Sequence, residues 1–271
     1  MDNLSLHDRI SALLKIIPSL FLIFSFVFLS NNLFAIDAKE LFKRTRDSVV
    51  LIIAFDSGNQ PLALGSGFFV GDGNAIVTNY HVIEGASAVG VKSTVNSLAL
   101  VSSVLSVDLQ HDLVLLAVST SGPALRLSAR SPDVGEEIIA IGNPKGLEGT
   151  LSVGIVSGVR QENAASVYQI TAPISPGSSG GPVIDQSGEV LGVSSFFVTG
   201  GQNLNFAYPA SYVKSLLQNQ KPSALRDTTG LRSKLSITKA DEQVFGAGGV
   251  IHGGSYHPHF EASVVNREVV A

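Results

Sequence analysis

Between residues 49 and 207 the sequence breaks into about eleven short apolar, β-rich runs, each closed off by Gly, Asn, Asp or Pro. The runs are 49–55, 67–70, 75–78, 98–107, 113–118, 137–141, 151–159, 168–171, 182–184, 190–197 and 205–207. No amphipathic helical pattern intervenes, so parallel crossovers are excluded and an antiparallel all-β barrel or sandwich is expected. Gly71-Asp72-Gly73-Asn74 and Asp185-Gln186-Ser187-Gly188 carry hairpin turn chemistry. Helices flank this β region. Residues 38–46 place Leu41 and Phe42 among charges, and residues 211–218 line up Val213, Leu216 and Leu217 on one face. From Asn219 the periodicity decays, and residues 219–271 are expected to form a weakly ordered, Gly-rich and polar tail.

The N-terminus has a different character. Arg9 and Lys15 precede an uncharged apolar run over 16–29, followed by Ser30-Asn31-Asn32 and then Leu33-Phe34-Ala35. A short apolar core behind basic residues, ending at a small residue, reads as a secretory signal over 1–35 with cleavage near Ala35. A membrane span needs about 20 apolar residues. An uncleaved anchor is the alternative, because Leu33 is bulkier than the residue usual at such a site. The chain has no cysteine, which excludes disulfides, thiol catalysis and thiolate metal sites. Its net charge is −4 with no long basic run, so nothing marks a nucleic-acid surface. His252, His257 and His259 sit in the Gly-rich tail, and no metal or other cofactor is assigned to them.

The chemistry concentrates at residues 175–182, SPGSSGGP. Three glycines around Ser179 let the backbone turn sharply and leave N–H groups free beside a hydroxyl, which suits a nucleophile next to an oxyanion hole. Taken alone, the octapeptide reads equally well as a surface turn. A serine nucleophile needs a base, and the base needs an orienting acceptor. His81 follows a predicted strand in IVTNYHVI, and Asp112 opens an apolar strand in HDLVLL, where an acid can be buried. Its neighbour His111 reads as a solvent-facing residue. Each residue has a bland account singly, but His81, Asp112 and Ser179 occur in that order, each at the edge of a predicted strand. Residues 177–181 also fit the G-x-S-x-G elbow of α/β hydrolases. That reading fails because Pro182 continues into a strand and the only later histidines are in the tail.

Six stretches, residues 65–70 (GSGFFV), 76–83, 111–117, 140–159, 169–184 (QITAPISPGSSGGPVI) and 189–193, resemble the trypsin-like serine proteases of the HtrA (Deg) type over about residues 38–218. The resemblance implies two six-stranded antiparallel β-barrels over 36–218, with His81 and Asp112 on the first and Ser179 on the second. It implies Ser179 as nucleophile, His81 as general base and acid, and Asp112 as its orienter. The backbone N–H groups of Gly177 and Ser179 would form the oxyanion hole, each donor contributing roughly 3 kcal/mol in the transition state. A neutral histidine base implies activity rising through about pH 6–7. Pro173, Ile174, Val193, Ser194 and Ser195 would line the substrate pocket, and with no acid among them small or medium apolar side chains are expected to be preferred.

Two departures from the family pattern stand out: Ser178 replaces an Asn common before the nucleophile, and no PDZ module is recognisable after the domain. Unfolded proteins or peptides are the implied substrates, and the 38–46 helix resembles a segment that supports trimers in relatives. An inactive, binding or chaperone-like module on the same fold and an esterase with the same triad are the alternatives. Residues 143–150 and 162–166 are expected to be mobile loops.

Overall fold

The computed structural model describes residues 37–93, 98–143, 149–162, 165–197 and 203–230. The expected export segment, the distal tail with its three histidines and the centres of both expected mobile loops lie outside these residues. A helix, α1 (Ala38–Thr45), and a 3-10 turn (Arg46–Ser48) lead into the first strand.

Six strands then form a closed antiparallel barrel: β1 (Val49–Phe55), β2 (Pro61–Val70), β3 (Ala75–Asn79), β4 (Ala88–Lys92), β5 (Ala99–Asp108) and β6 (Leu113–Val118). Their order around the barrel is β1-β2-β3-β6-β5-β4, and β1 closes it by pairing with β4. The alternation along β1 sets its register, because Val50, Ile52 and Ala54 point inward and meet Phe69, Ile76, Val91, Val104 and Leu116. Each of these side chains larger than alanine contributes about 1.5–3 kcal/mol on burial. Between β3 and β4 the chain makes a short helix, α2 (Tyr80–Ile83).

The second barrel repeats the plan with β7 (Glu137–Gly142), β8 (Thr150–Glu162), β9 (Ala165–Ile170), β10 (Pro182–Asp185), β11 (Val190–Phe197) and β12 (Asn205–Pro209), ordered β10-β11-β12-β9-β8-β7. Ile138, Ala140, Val156, Tyr168, Ile170, Val183 and Leu191 fill it. Helix α3 (Ala210–Gln218) follows directly from β12 and packs on β5, β6 and β11.

The expected architecture of two six-stranded antiparallel barrels with helices at either end is the one observed. Both expected hairpins form, with Gly71, Gly73 and Gly188 at positive φ. The count of strands is corrected from about eleven to twelve. β4 escapes a sequence reading because Gly90 sits at its centre. A Cβ there would lie 2.8 Å from Leu98 and 3.1 Å from Phe55, so the glycine is a packing requirement rather than a turn signal.

The chain also does not loosen at Asn219 as expected. Lys221 N–H donates to the Leu105 carbonyl at 2.7 Å, and Ser223 exchanges two backbone bonds with Val104. Helix α4 (Leu225–Thr228) then leads to Thr229, whose carbonyl accepts Gly85 N–H at 2.8 Å. Residues 219–230 thus strap the first barrel. Apolar periodicity misses them because backbone bonds, rather than a hydrophobic stripe, hold them in place.

Candidate active site

Asp112 is fully buried at the start of β6 and has φ +53, a left-handed conformation that few non-glycine residues adopt. Its carbonyl accepts the Asn79 side-chain amide at 3.0 Å and Tyr80 N–H at 2.8 Å. These two bonds bend the chain from β3 into α2 and bring His81 round to the carboxylate. Asp112 Oδ1 accepts His81 N–H at 3.0 Å, and Oδ2 lies 2.5 Å from His81 Nδ1. One carboxylate therefore fixes both the backbone and the ring of a histidine that is only 6% exposed. With Nδ1–H donated to the acid, a neutral His81 keeps its lone pair on Nε2. Ser195 Oγ, on β11, adds a weaker donor to Asp112 Oδ2 at 3.4 Å.

The Ser179 turn comes from the second barrel. Ser178 N–H donates to the Ser175 carbonyl at 2.8 Å, with Gly177 at φ +95. Pro second and a positive-φ glycine third define a type II turn, which sets the face that the Gly177 N–H presents. Gly180 follows at φ +88, where a Cβ would stand 2.1 Å from the Ser66 carbonyl oxygen and 2.3 Å from Thr78 Oγ1. No side chain fits between the Ser179 turn and the first barrel. Ser179 is 6% exposed, and its hydroxyl donates to the Ser195 carbonyl at 3.0 Å.

Ser66 on β2 joins the two halves. Its N–H donates to the Ser179 carbonyl at 2.8 Å and its hydroxyl to the Gly177 carbonyl at 2.7 Å, while its Oγ accepts Asn143 N–H at 2.8 Å. Thr78 Oγ1 in turn donates to the Ser66 carbonyl at 2.6 Å. Asn143 completes the seam by donating its side-chain amide to the Val50 carbonyl at 2.8 Å. Sequence reasoning did not single out Ser66 or Asn143 for a role in this site. The only signal was the position of Ser66 between two glycines and of Asn143 after a glycine, within quoted motifs.

The expected pocket residues separate into three places. Pro173, Ile174 and Ser194 line a cavity of about 80 Å³ together with Ser175, Ser178 and Ile141, on the Ser178 side of the Ser179 turn. Val193 is fully buried and pairs with Pro182 and Tyr208. Ser195 belongs beside Asp112 and Ser179 through its hydroxyl and carbonyl. Phe196, next along β11, stacks on Phe206 with ring centroids 4.9 Å apart.

His111 is not the solvent-facing neighbour expected. It is 9% exposed, and its ring stacks on Tyr212 of α3 at 3.6 Å. Among the described residues no cluster of His, Asp and Glu could hold a metal ion, and no helix is long and apolar enough to cross a membrane.

Residues 65–193 match the family model of the trypsin-like peptidase domain. The chain carries a trypsin-like peptidase domain. The double barrel is likewise similar to the active form of the Rv3671c protease from M. tuberculosis, with a TM-score of 0.63 at 26% identity, covering 70% of this chain and 87% of that one. Among curated relatives, a probable periplasmic DegP-like serine endoprotease of Bartonella henselae is 36% identical over 169 residues, covering 59% of this chain and 33% of the relative. The anti-sigma-I factor RsgI9 of Acetivibrio thermocellus is 33% identical over 170 residues, covering 62% of this chain and 24% of the relative. The chain thus spans a quarter to a third of the length of these two relatives. The DegP-like relative agrees with the HtrA-like resemblance.

Proposed function

We propose that the chain is an exported serine endopeptidase that cleaves unfolded or damaged proteins through an acyl-enzyme. The observation that carries this reading is the buried Asp112 carboxylate holding both the backbone and Nδ1 of His81, with the Ser179 turn stitched against the same barrel by Ser66. In the proposed reaction the Ser179 hydroxyl proton, now directed at the Ser195 carbonyl, passes to His81 Nε2 as Oγ attacks the scissile carbonyl carbon. The imidazolium is stabilised by Asp112, and the oxyanion by the N–H groups of Gly177 and Ser179. His81 then gives its proton to the leaving amine as the C–N bond breaks. A water repeats the cycle on the ester, restoring Ser179 and releasing the acid.

Export rests on the apolar run before Ala35 and on the DegP-like relative, which is named as periplasmic. The protein is membrane-bound in this reading only if residues 1–35 stay uncleaved, and α1 is the segment through which it would form trimers. The proposal includes no metal, cofactor or nucleic acid. Substrates are taken after small or medium apolar residues, since Pro173, Ile174 and Ser194, with the other residues lining the cavity, supply no acid to bind Lys or Arg. A peptide-library profile should show that preference, and cleavage dominated by Lys or Arg would overturn it.

A second reading, a latent binding or chaperone-like module, draws on the Ser179 hydroxyl being engaged by the Ser195 carbonyl. Against it stands the positive φ of Gly177, which already builds the type II turn. Fluorophosphonate labelling of the full chain separates the two. The endopeptidase reading expects Ser179 to be modified in the wild type and unmodified in His81→Ala. A folded wild type that resists the probe would leave the binding module as the function. Comparing amide with ester turnover then distinguishes a peptidase from an esterase with the same triad.

A further inference from the structure

We propose that His111 is a positioning residue for Asp112, a role that rests on the endopeptidase reading above. The residue directly precedes the buried acid, whose φ of +53 must be over-determined by its surroundings to persist. On the far side of Asp112 the restraint is visible in the bonds from Asn79 and Tyr80 to its carbonyl. On the near side the restraint is His111. Its backbone N–H donates to Asp108 Oδ1 at 3.1 Å, and its ring Nδ1 lies 2.7 Å from Oδ2 of the same carboxylate. Both donors of residue 111 thus converge on one group at the end of β5, which closes residues 108–111 into a tight loop. That loop fixes the plane of the peptide leading into Asp112.

The ring is held from the other side as well. It lies flat on Tyr212 at 3.6 Å and 17°, and meets the edge of Tyr208 at 5.8 Å. Tyr212 is itself anchored, its hydroxyl accepting Ser166 N–H at 2.7 Å from β9 of the second barrel. A continuous strut therefore runs from the β9 end of the second barrel through Tyr212 and His111 to the acid of the first.

Space filling alone does not account for an imidazole here. His111 Nε2 is buried with no hydrogen-bond partner among the described residues, a penalty that a phenyl ring would avoid. What the imidazole supplies and a phenyl ring lacks is the Nδ1 donor to Asp108. The Asp108 carboxyl reflects that bond: burial opposes its ionised form, yet the His111 ring and amide bonds outweigh burial and hold it below the usual carboxylate range.

The test uses the full chain with His111→Phe, which keeps the stacked ring and loses the donor, and Asp108→Ala, which removes the acceptor and leaves the ring contacts. His111→Asn restores a short donor. Three readouts are taken: the rate of fluorophosphonate modification of Ser179, kcat and KM on one peptide, and the low-field proton resonance of the His81–Asp112 bond. His111→Phe and Asp108→Ala should react about tenfold more slowly with KM unchanged and the resonance displaced, because small misplacements of a catalytic group act on the chemical step. His111→Asn should recover most of the rate. Wild-type rates and an unmoved resonance in both of the first two variants would overturn the inference, as would a His111→Asn variant as slow as His111→Phe. If His111→Phe fails to fold, Asp108→Ala carries the same test. A wild type that never reacts would sink the endopeptidase reading instead, and the resonance, which needs no turnover, would still decide the role of His111.

Discussion

Replacing Ser179 with alanine is expected to lower kcat on a peptide substrate by about 10⁶-fold while leaving KM within a few-fold of wild type. The fold should survive the change. Oγ makes one bond, to the Ser195 carbonyl, and losing one such bond costs about 1 kcal/mol. The type II turn, the Ser66 bonds and the close approach of Gly180 are all backbone features of the nucleophile segment and are retained in the variant. Thermal melting within a few degrees of wild type, together with loss of turnover, would place the nucleophile at Ser179. Turnover within tenfold of wild type would place it elsewhere.

Asp112→Asn should come next in size, with a loss of about 10⁴-fold in kcat. The two side chains have the same shape, so the argument concerns protons. The carboxylate accepts from two donors of His81, the backbone N–H and Nδ1–H. An asparagine has one oxygen and one NH2. If the oxygen keeps the backbone N–H, the NH2 faces Nδ1 and forces it to accept. The ring proton then moves to Nε2, and the imidazole can no longer take a proton from Ser179. Stopped-flow acylation at neutral pH reads this loss directly. A variant that acylates at a tenth of the wild-type rate or faster would show that Asp112 does not set the tautomer.

Much of this organisation could be read from the sequence where a residue declares itself by type. β1 and β6 are bounded correctly because each is a continuous apolar run between turn signals. His81 and Asp112 stand out because a serine nucleophile needs a base and the base an orienting acceptor, and the structure pairs the two. Ser66 and Asn143 were not legible. They act through a hydroxyl and a side-chain amide on main-chain atoms 111 and 93 residues away, and no local pattern encodes such a pairing. His111 was misjudged for a related reason. What buries it is Tyr212, which lies on a helix that follows the second barrel and covers the first. Ser195 is put along a pocket wall by the family resemblance alone, which does not say that its carbonyl meets Ser179 and its hydroxyl Asp112.

The Ser66 bonds have a consequence in time. Residues 49–118 complete the first barrel, so His81 and Asp112 are paired within a unit made early in synthesis. Ser179 arrives about sixty residues later, and its turn is braced by bonds that exist only once the second barrel sits against β2. On the proposed reading, the nascent chain is chemically silent until its last large docking event. A destructive activity is thereby withheld from the half-made protein by the order in which its parts appear.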